Sequence, residues 1–224
     1  MAKIDVPYPG SRTLIAGQTG SGKTIAGIFL LSLQDWPFKP WIVIDFKGDE
    51  NIATIPGAQV VPLGVKLNDL EPGVYIIRPM IWQRDEVENL LWRIWQNENI
   101  GLYIDEGYMI DKNSEAFQAI LTQGRSKKIT VITLTQRPVE ISRFAFSESS
   151  YFQIFDLIDQ RDWKTVSQFA PVNPKGEHLE RFHSLWYDVA NKRLIRLAPV
   201  PQIGDINRIF EQRLPAPKPK RRAI

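Results

Sequence analysis

At 224 residues, 43% hydrophobic and 24% charged, the chain has room for one α/β domain with a large core and lacks the compositional bias of a disordered or fibrous protein. It contains no cysteine, which excludes disulfides, iron–sulfur clusters and thiolate zinc sites, and its two histidines, His178 and His183, stand without the neighbours a metal site needs. The formal charge of +3 is unevenly spread: five cations and no acids fall in residues 213–224, which leaves residues 1–212 at −2.

Residues 13–16 (TLIA) predict a first strand, followed by a glycine-rich turn, a helix over 23–33 and a second strand over 41–45. Residues 51–70, with Pro56, Gly57, Pro62 and Gly64, predict short irregular pieces, and 74–77 a further strand. Between Asp85 and Asn97, Val87, Leu90, Leu91, Ile94 and Trp95 recur at helical spacing and predict one buried stripe, Trp95 included. Residues 101–104 predict a strand ending on Asp105 and Glu106. Ser114 is placed to cap a helix that carries Phe117, Ile120 and Leu121 to about Gly124. Residues 129–134 predict a strand that runs into Thr135 and Gln136 and is stopped by Pro138. Further along, 151–155 predict a strand, 162–169 a helix, and 185–187 with 194–196 a hairpin.

Strand–helix alternation of this kind predicts an α/β fold with a mostly parallel sheet and helices on both faces. Residues 1–212 make up the domain in this reading. Residues 213–224, broken by Pro215, Pro217 and Pro219, form a basic tail that builds neither helix nor core and is expected to be mobile. Such a tail either touches nucleic acid, a capsid or another protein, or serves only as solubilising charge. The longest apolar run, around residues 25–33, is too short to cross a bilayer, and residues 1–5 lack a signal-peptide core; a soluble protein inside the cell, without membrane insertion, is expected.

The string Gly17-Gln18-Thr19-Gly20-Ser21-Gly22-Lys23-Thr24 fits the pattern GxxxxGK[ST], and it lies after a strand and before a helix, where a phosphate-binding P-loop must lie. Gly17, Gly20 and Gly22 let the backbone wrap around phosphates so that N–H groups and the positive helix N-terminus face the oxygens. Lys23 then reaches the β- and γ-phosphates, and the Thr24 hydroxyl ligates Mg2+. The competing reading is a glycine-rich turn with an incidental lysine. A triphosphate site also needs an acidic wall. The apolar strand ending in Asp105 and Glu106 supplies one: Asp105 faces the metal, usually through a water, and Glu106 is left as general base. Alone, an acidic pair at a strand end reads as a solvated loop or a helix cap; the P-loop tips that balance. Gln136 points at the γ-phosphate or the attacking water if its strand lies between the P-loop strand and the Asp105 strand, and is otherwise a turn residue before Arg137-Pro138. The one Asn-Lys pair, Asn191-Lys192, is followed by Arg193-Leu194 and fails the guanine-reading NKxD pattern of a regulatory GTPase.

The run from Gly124 to Pro138, GRSKKITVITLTQRP, resembles the sensor strand of the FtsK–HerA DNA-pumping ATPases, which typically ends in a TQRP-like string. Ile44-Asp45-Phe46-Lys47-Gly48 resembles their second-strand motif IDPKG, with Phe46 in place of proline, and GQTGSGKT and YIDE are likewise typical of them. These four motifs sample residues 12–156 and leave the C-terminal third uncovered. The resemblance implies a RecA-like, ASCE-type P-loop ATPase that uses ATP and Mg2+, a homo-oligomeric, hexameric ring with nucleotide sites between subunits, and double-stranded DNA in the pore. It also implies that Arg125, which the residues alone read as a solvent-facing arginine at a helix end, is an arginine finger entering the neighbouring subunit's site. A DNA pump needs basic pore loops. The near-neutral body offers Arg78 with Arg84, the stretch 107–113 with Lys112, and Lys127-Lys128 as candidates.

The chain has no room for the membrane segments, barrel domain or winged helix of the long cellular members. It is most similar to the small genome-packaging ATPases of tailless viruses with an internal membrane. That likeness implies a packaging motor, capsid or portal-vertex partners, and a place in the host cytoplasm or at the virion vertex. A cellular or plasmid DNA-transfer or repair translocase, or a phage assembly or secretion ATPase, is the alternative.

Overall fold

The computed structural model describes residues 6–214. In chain order the elements are β1 (Arg12–Ala16), α1 (Lys23–Ser32), β2 (Pro40–Asp45), α2 (Glu50–Ala53), β3 (Gln59–Val60), β4 (Gly73–Ile77), α3 (Arg84–Asn97), β5 (Gly101–Asp105), α4 (Glu115–Gln123), β6 (Thr130–Thr135), α5 (Phe144–Ser147), β7 (Tyr151–Ile154), α6 (Gln160–Val166), β8 (Ser184–Asp188), β9 (Arg193–Leu197) and α7 (Ile203–Arg213). The strands form one sheet in the order β3-β4-β2-β5-β6-β1-β7-β8-β9. From β3 to β7 along that order the pairs are parallel, and β8 and β9 add an antiparallel hairpin at the β7 edge. The hairpin register sets Trp186 opposite Ile195, as the paired apolar runs suggest.

Successive residues of the central strands face opposite cores. Leu14, Ala16, Ile44, Leu102 and Ile104 pack with α3, α4, α5 and α6, while Ile15, Val43, Tyr103 and Leu134 pack with α1, α2 and α7. A parallel strand buried on both faces reads as a continuous apolar run, which is why these strands are legible in the sequence. On α1, Gly27 has no Cβ, and one placed there would come within 2.6 Å of the Tyr103 hydroxyl; glycine is what lets α1 lie close against β5.

The buried stripe of α3 closes one residue earlier than its periodicity suggests. Val87, Leu90, Leu91 and Ile94 are buried, but Trp95 is only half-buried. It sits about 100° around the helix from Ile94, off the stripe. Its ring packs against the margin of the core and is covered by the Lys127 ammonium at 4.1 Å and by the edge-on ring of Trp92 at 5.6 Å. At the C-terminal end, Ile206 and Phe210 of α7 are fully buried, and the Phe210 ring meets Trp36 at 5.4 Å. Arg213, which charge alone groups with the tail, is the last residue of α7; its guanidinium lies 5.6 Å over Trp36 and donates to the Ser32 carbonyl. The rest of the expected tail, beyond Leu214, lies outside the described residues, as do residues 1–5. Among the described residues no helix is long and apolar enough to cross a membrane.

Candidate active site

In an open parallel sheet ligands bind beyond the C-terminal ends of the strands, and there the expected site residues converge. The string 17–24 leaves β1 and enters α1. Its glycines do what non-glycine residues resist: Gly20 and Gly22 stand at φ 77° and 99°. The turn is tied down on both sides, with Gly17 N–H donating to the Thr135 carbonyl (3.1 Å) and Gln18 N–H to the Asp156 carbonyl (2.9 Å). The Gln18 amide also donates to the Asp156 carboxylate at 3.0 Å. The Ser21 hydroxyl is buried without a hydrogen-bond partner, an orphan donor at the mouth of an anion cradle.

β5 delivers the acidic wall. Lys23 Nζ lies 3.2 Å from Glu106 Oε1, and the Thr24 hydroxyl lies 3.5 Å from Asp105 Oδ1. Lys23, Asp105 and Glu106 are all buried, at 5%, 1% and 1% exposure. Glu106 holds a left-handed backbone (φ 60°, ψ 62°), an uncommon conformation for this residue type that turns the carboxylate out of the strand direction. The carboxylate accepts from Lys47 Nζ as well as Lys23, and from the Gln136 N–H at 3.3 Å. Lys47 is itself positioned by Asp45 at the end of β2, which accepts from Gly48 N–H (2.9 Å), Asp49 N–H (3.1 Å) and Arg78 Nε (2.9 Å).

This packing of charge sets the protonation. Burial, then the Glu106 charge, pushes the Asp105 carboxyl up to about 7, with Lys23 opposing both. For Lys47, burial acts to lower its affinity for the proton, yet the hydrogen bond and charge of Glu106 outweigh it and hold the ammonium above its ordinary value.

β6 lies between β1 and β5, so Gln136 is delivered to the same end of the sheet. Its side-chain Oε1 accepts from the Thr19 hydroxyl at the tip of the P-loop, and its Nε2 donates to the Tyr108 hydroxyl at 3.0 Å. The residue thus bridges P-loop and acidic wall. Arg125 is elsewhere. It is exposed at the N-terminal end of β6, where its guanidinium lies 5.8 Å over the Tyr8 ring. The six residues of β6 place it roughly 20 Å from the P-loop of its own chain.

Of the basic candidates, Arg78 is committed to Asp45 at 2.9 Å, and Lys127 to Glu98 at 2.6 Å and to the Trp95 ring. Arg84, Lys112 and Lys128 are exposed.

The residues missed by sequence reasoning are the supports. Tyr108 and Asp156 carry no motif of their own. Lys47 stands inside the string IDFKG, where it was read only as part of a resemblance. Arg181 and Phe182, which lie against the P-loop from the C-terminal third, give no signal in sequence at all.

The donor set suits a hard cation. One hydroxyl and one carboxylate oxygen face each other across the Thr24–Asp105 gap, and no group of three or more His, Cys, Asp or Glu side chains able to hold a metal occurs among the described residues. Mg2+ fits such a place, because it keeps several waters and takes further oxygens from phosphates instead of a full protein cage.

No protein-family model matches the chain. It is 47% identical over 208 residues to the DNA packaging ATPase P9 of Enterobacteria phage PRD1, covering 88% of this chain and 91% of that protein. Among solved structures, the genome packaging NTPase B204 of Sulfolobus turreted icosahedral virus 2, in complex with sulfate, superposes with a TM-score of 0.69 at 18% identity, over 87% of this chain and 99% of that one. The pCW3 conjugation coupling protein TcpA with ATPγS gives 0.63 at 15% identity, over 92% of this chain and 65% of that one. At such low identity the two structures show a shared fold and no more.

Proposed function

The chain belongs to the family of the DNA packaging ATPase P9, and from that premise we propose that it is the motor subunit that hydrolyses ATP to drive double-stranded DNA into a viral capsid. The observation that carries the reading is the meeting of Lys23 and Glu106 at 3.2 Å from turns far apart in sequence. A buried lysine and a buried carboxylate on opposite walls of a phosphate cradle are the parts that triphosphate hydrolysis needs.

In this reading the backbone of Gly17, Gln18, Thr19, Gly20, Ser21 and Gly22 cradles the phosphates, and Lys23 exchanges Glu106 for the β- and γ-oxygens. Glu106, released from one of its two ammonium partners, accepts the proton of the attacking water. Thr24 and Asp105 would hold Mg2+, which would supply positive charge against that developing on the transferred phosphoryl group. Gln136 joins the P-loop tip to the acidic wall. Arg125, too far from its own P-loop to serve it, acts in the site of a neighbouring copy, which makes a closed ring, a hexamer by family resemblance, the working assembly. Duplex DNA in the pore, capsid or portal-vertex partners, and a soluble life in the host cytoplasm and at the virion vertex complete the proposal. Packaging is favoured over plasmid transfer because the 47% relative is a packaging ATPase, whereas the likeness to TcpA at 15% speaks only to fold.

The test is genetic. Virus lacking this gene product, or complemented only with the Lys23→Ala chain, is expected to accumulate empty capsids. Filled particles at normal yield would remove the packaging claim and leave the ATPase claim to be judged by phosphate release from the purified protein.

A further inference from the structure

The four motifs account for the phosphate end of the site and leave the other end of the nucleotide unassigned. Two clefts flank the P-loop. One, of about 410 Å³, is bounded by Gln18–Ser21 together with Phe155 and Asp156; the other, of about 290 Å³, by Gly22–Ile25 together with Asp49 and Asn51. Both have Arg181 and Phe182 in their walls, and volumes of this order are those of ligand clefts. A nucleotide whose phosphates lie over Gly20–Thr24 meets this pair when its ribose turns into either cleft.

Packing does not explain the pair. Phe182 belongs to neither hydrophobic core, is 41% exposed, and stands at φ 65°, a left-handed conformation that a bulky residue adopts only when its surroundings impose it. Its ring edge reaches to 3.1 Å of where a Cβ on Gly22 would stand, directly against the first turn of α1. The Arg181 guanidinium lies 4.6 Å over the same ring. A half-exposed aromatic ring, held in a strained conformation against the phosphate-binding turn and topped by a guanidinium, is a stacking platform for a flat, electron-rich ring.

We propose that Arg181 and Phe182 hold the base of a nucleoside triphosphate by stacking, so that the C-terminal third of the chain supplies the nucleoside half of the site. The inference rests on reading Gly17–Thr24 as the phosphate cradle. Stacking on an aromatic face supplies affinity through a surface that every base has, so the clamp contributes binding more than it discriminates among bases.

The test compares binding of ATP with that of inorganic tripolyphosphate, each with Mg2+, which separates the two halves of the site. Phe182→Ala is expected to weaken ATP roughly five- to 100-fold, the span of one lost base–aromatic stack, and to leave tripolyphosphate within about twofold. Phe182→Leu, which keeps apolar bulk without a π-face, should weaken ATP as alanine does, and Phe182→Tyr should restore it. In turnover the loss should fall on KM more than on kcat. Equal weakening of ATP and tripolyphosphate, or no weakening of ATP, would overturn the clamp and leave the P-loop reading standing. A wild-type protein that binds neither probe would overturn the P-loop reading and the clamp with it.

Discussion

Replacing Asp105 by asparagine is expected to stabilise the protein while ending turnover. The Asp105 carboxyl is 1% exposed, and burial, followed by the charge of Glu106, raises it from 3.8 to about 7. An unfolded chain gives up the same proton near pH 4. As pH rises, the unfolded state is therefore the first to gain from ionisation, and the stability contributed at this position falls between about pH 4 and pH 7 and is level above. The whole span corresponds to about 4 kcal/mol, and for a chain of this size to a Tm lower by on the order of 10 °C. Asparagine is neutral throughout and retains an oxygen toward the Thr24 hydroxyl. Asp105→Asn should thus lie near wild type in urea unfolding at pH 4.5 and exceed it by a margin that widens to pH 7 and then holds, all in chelator without nucleotide. Stability curves that run parallel from pH 4.5 to 8 would refute the argument, because the carboxylate would then carry no burial penalty.

Glu106→Gln is expected to keep ATP binding while kcat falls by ~10²-fold or more, the usual worth of a positioned base; rapid turnover by this variant would remove Glu106 from that role. Lys47→Met removes one of the two ammonium groups on Glu106 without touching the P-loop, so kcat should fall about tenfold, the size of one charge-assisted hydrogen bond, at unchanged ATP affinity. Affinity falling in step with kcat would place Lys47 on the nucleotide instead. Arg125→Ala should lower turnover ~10³-fold in the uniform variant, and in mixtures with wild type activity should drop faster than the mutant fraction grows. A strictly proportional decline would argue against action in a neighbouring site.

What was legible in the sequence is what chemistry or burial imposes locally. A phosphate cradle needs glycine, lysine and a hydroxyl at fixed spacing, so Gly17–Thr24 announces itself. Strands buried on both faces, such as Val131–Leu134 within β6, leave unbroken apolar runs. Helix α7 was missed although Ile203, Ile206 and Phe210 have helical spacing, because Pro199, Pro201 and the proline-rich basic tail beyond it break the pattern on either side. The pairing of Lys47 with Glu106 and the approach of Phe182 to Gly22 were illegible for a different reason. They depend on which strands become neighbours and on how a C-terminal connection crosses the P-loop, and neither leaves a mark on the residues concerned.

β6 has a consequence for a ring that no single site shows. Just past its C-terminal end, Gln136 meets Thr19 at the P-loop tip, the Tyr108 hydroxyl and, through its own N–H, the Glu106 carboxylate. Any change at the γ-phosphate that moves Thr19 or Glu106 therefore pulls on β6. The strand has little means of absorbing that pull. All six of its residues are buried, and it is hydrogen-bonded along its length to β1 on one side and β5 on the other. Close-packed elements of this kind move as bodies instead of bending. At the far end of the same body stands Arg125, inside the turn that Ile129 N–H closes on the Gly124 carbonyl at 2.8 Å. In the proposed ring, a displacement of Gln136 by events in one subunit's site is thus carried across about 20 Å to an arginine that serves the next, which gives successive hydrolysis around the ring a mechanical basis within each subunit.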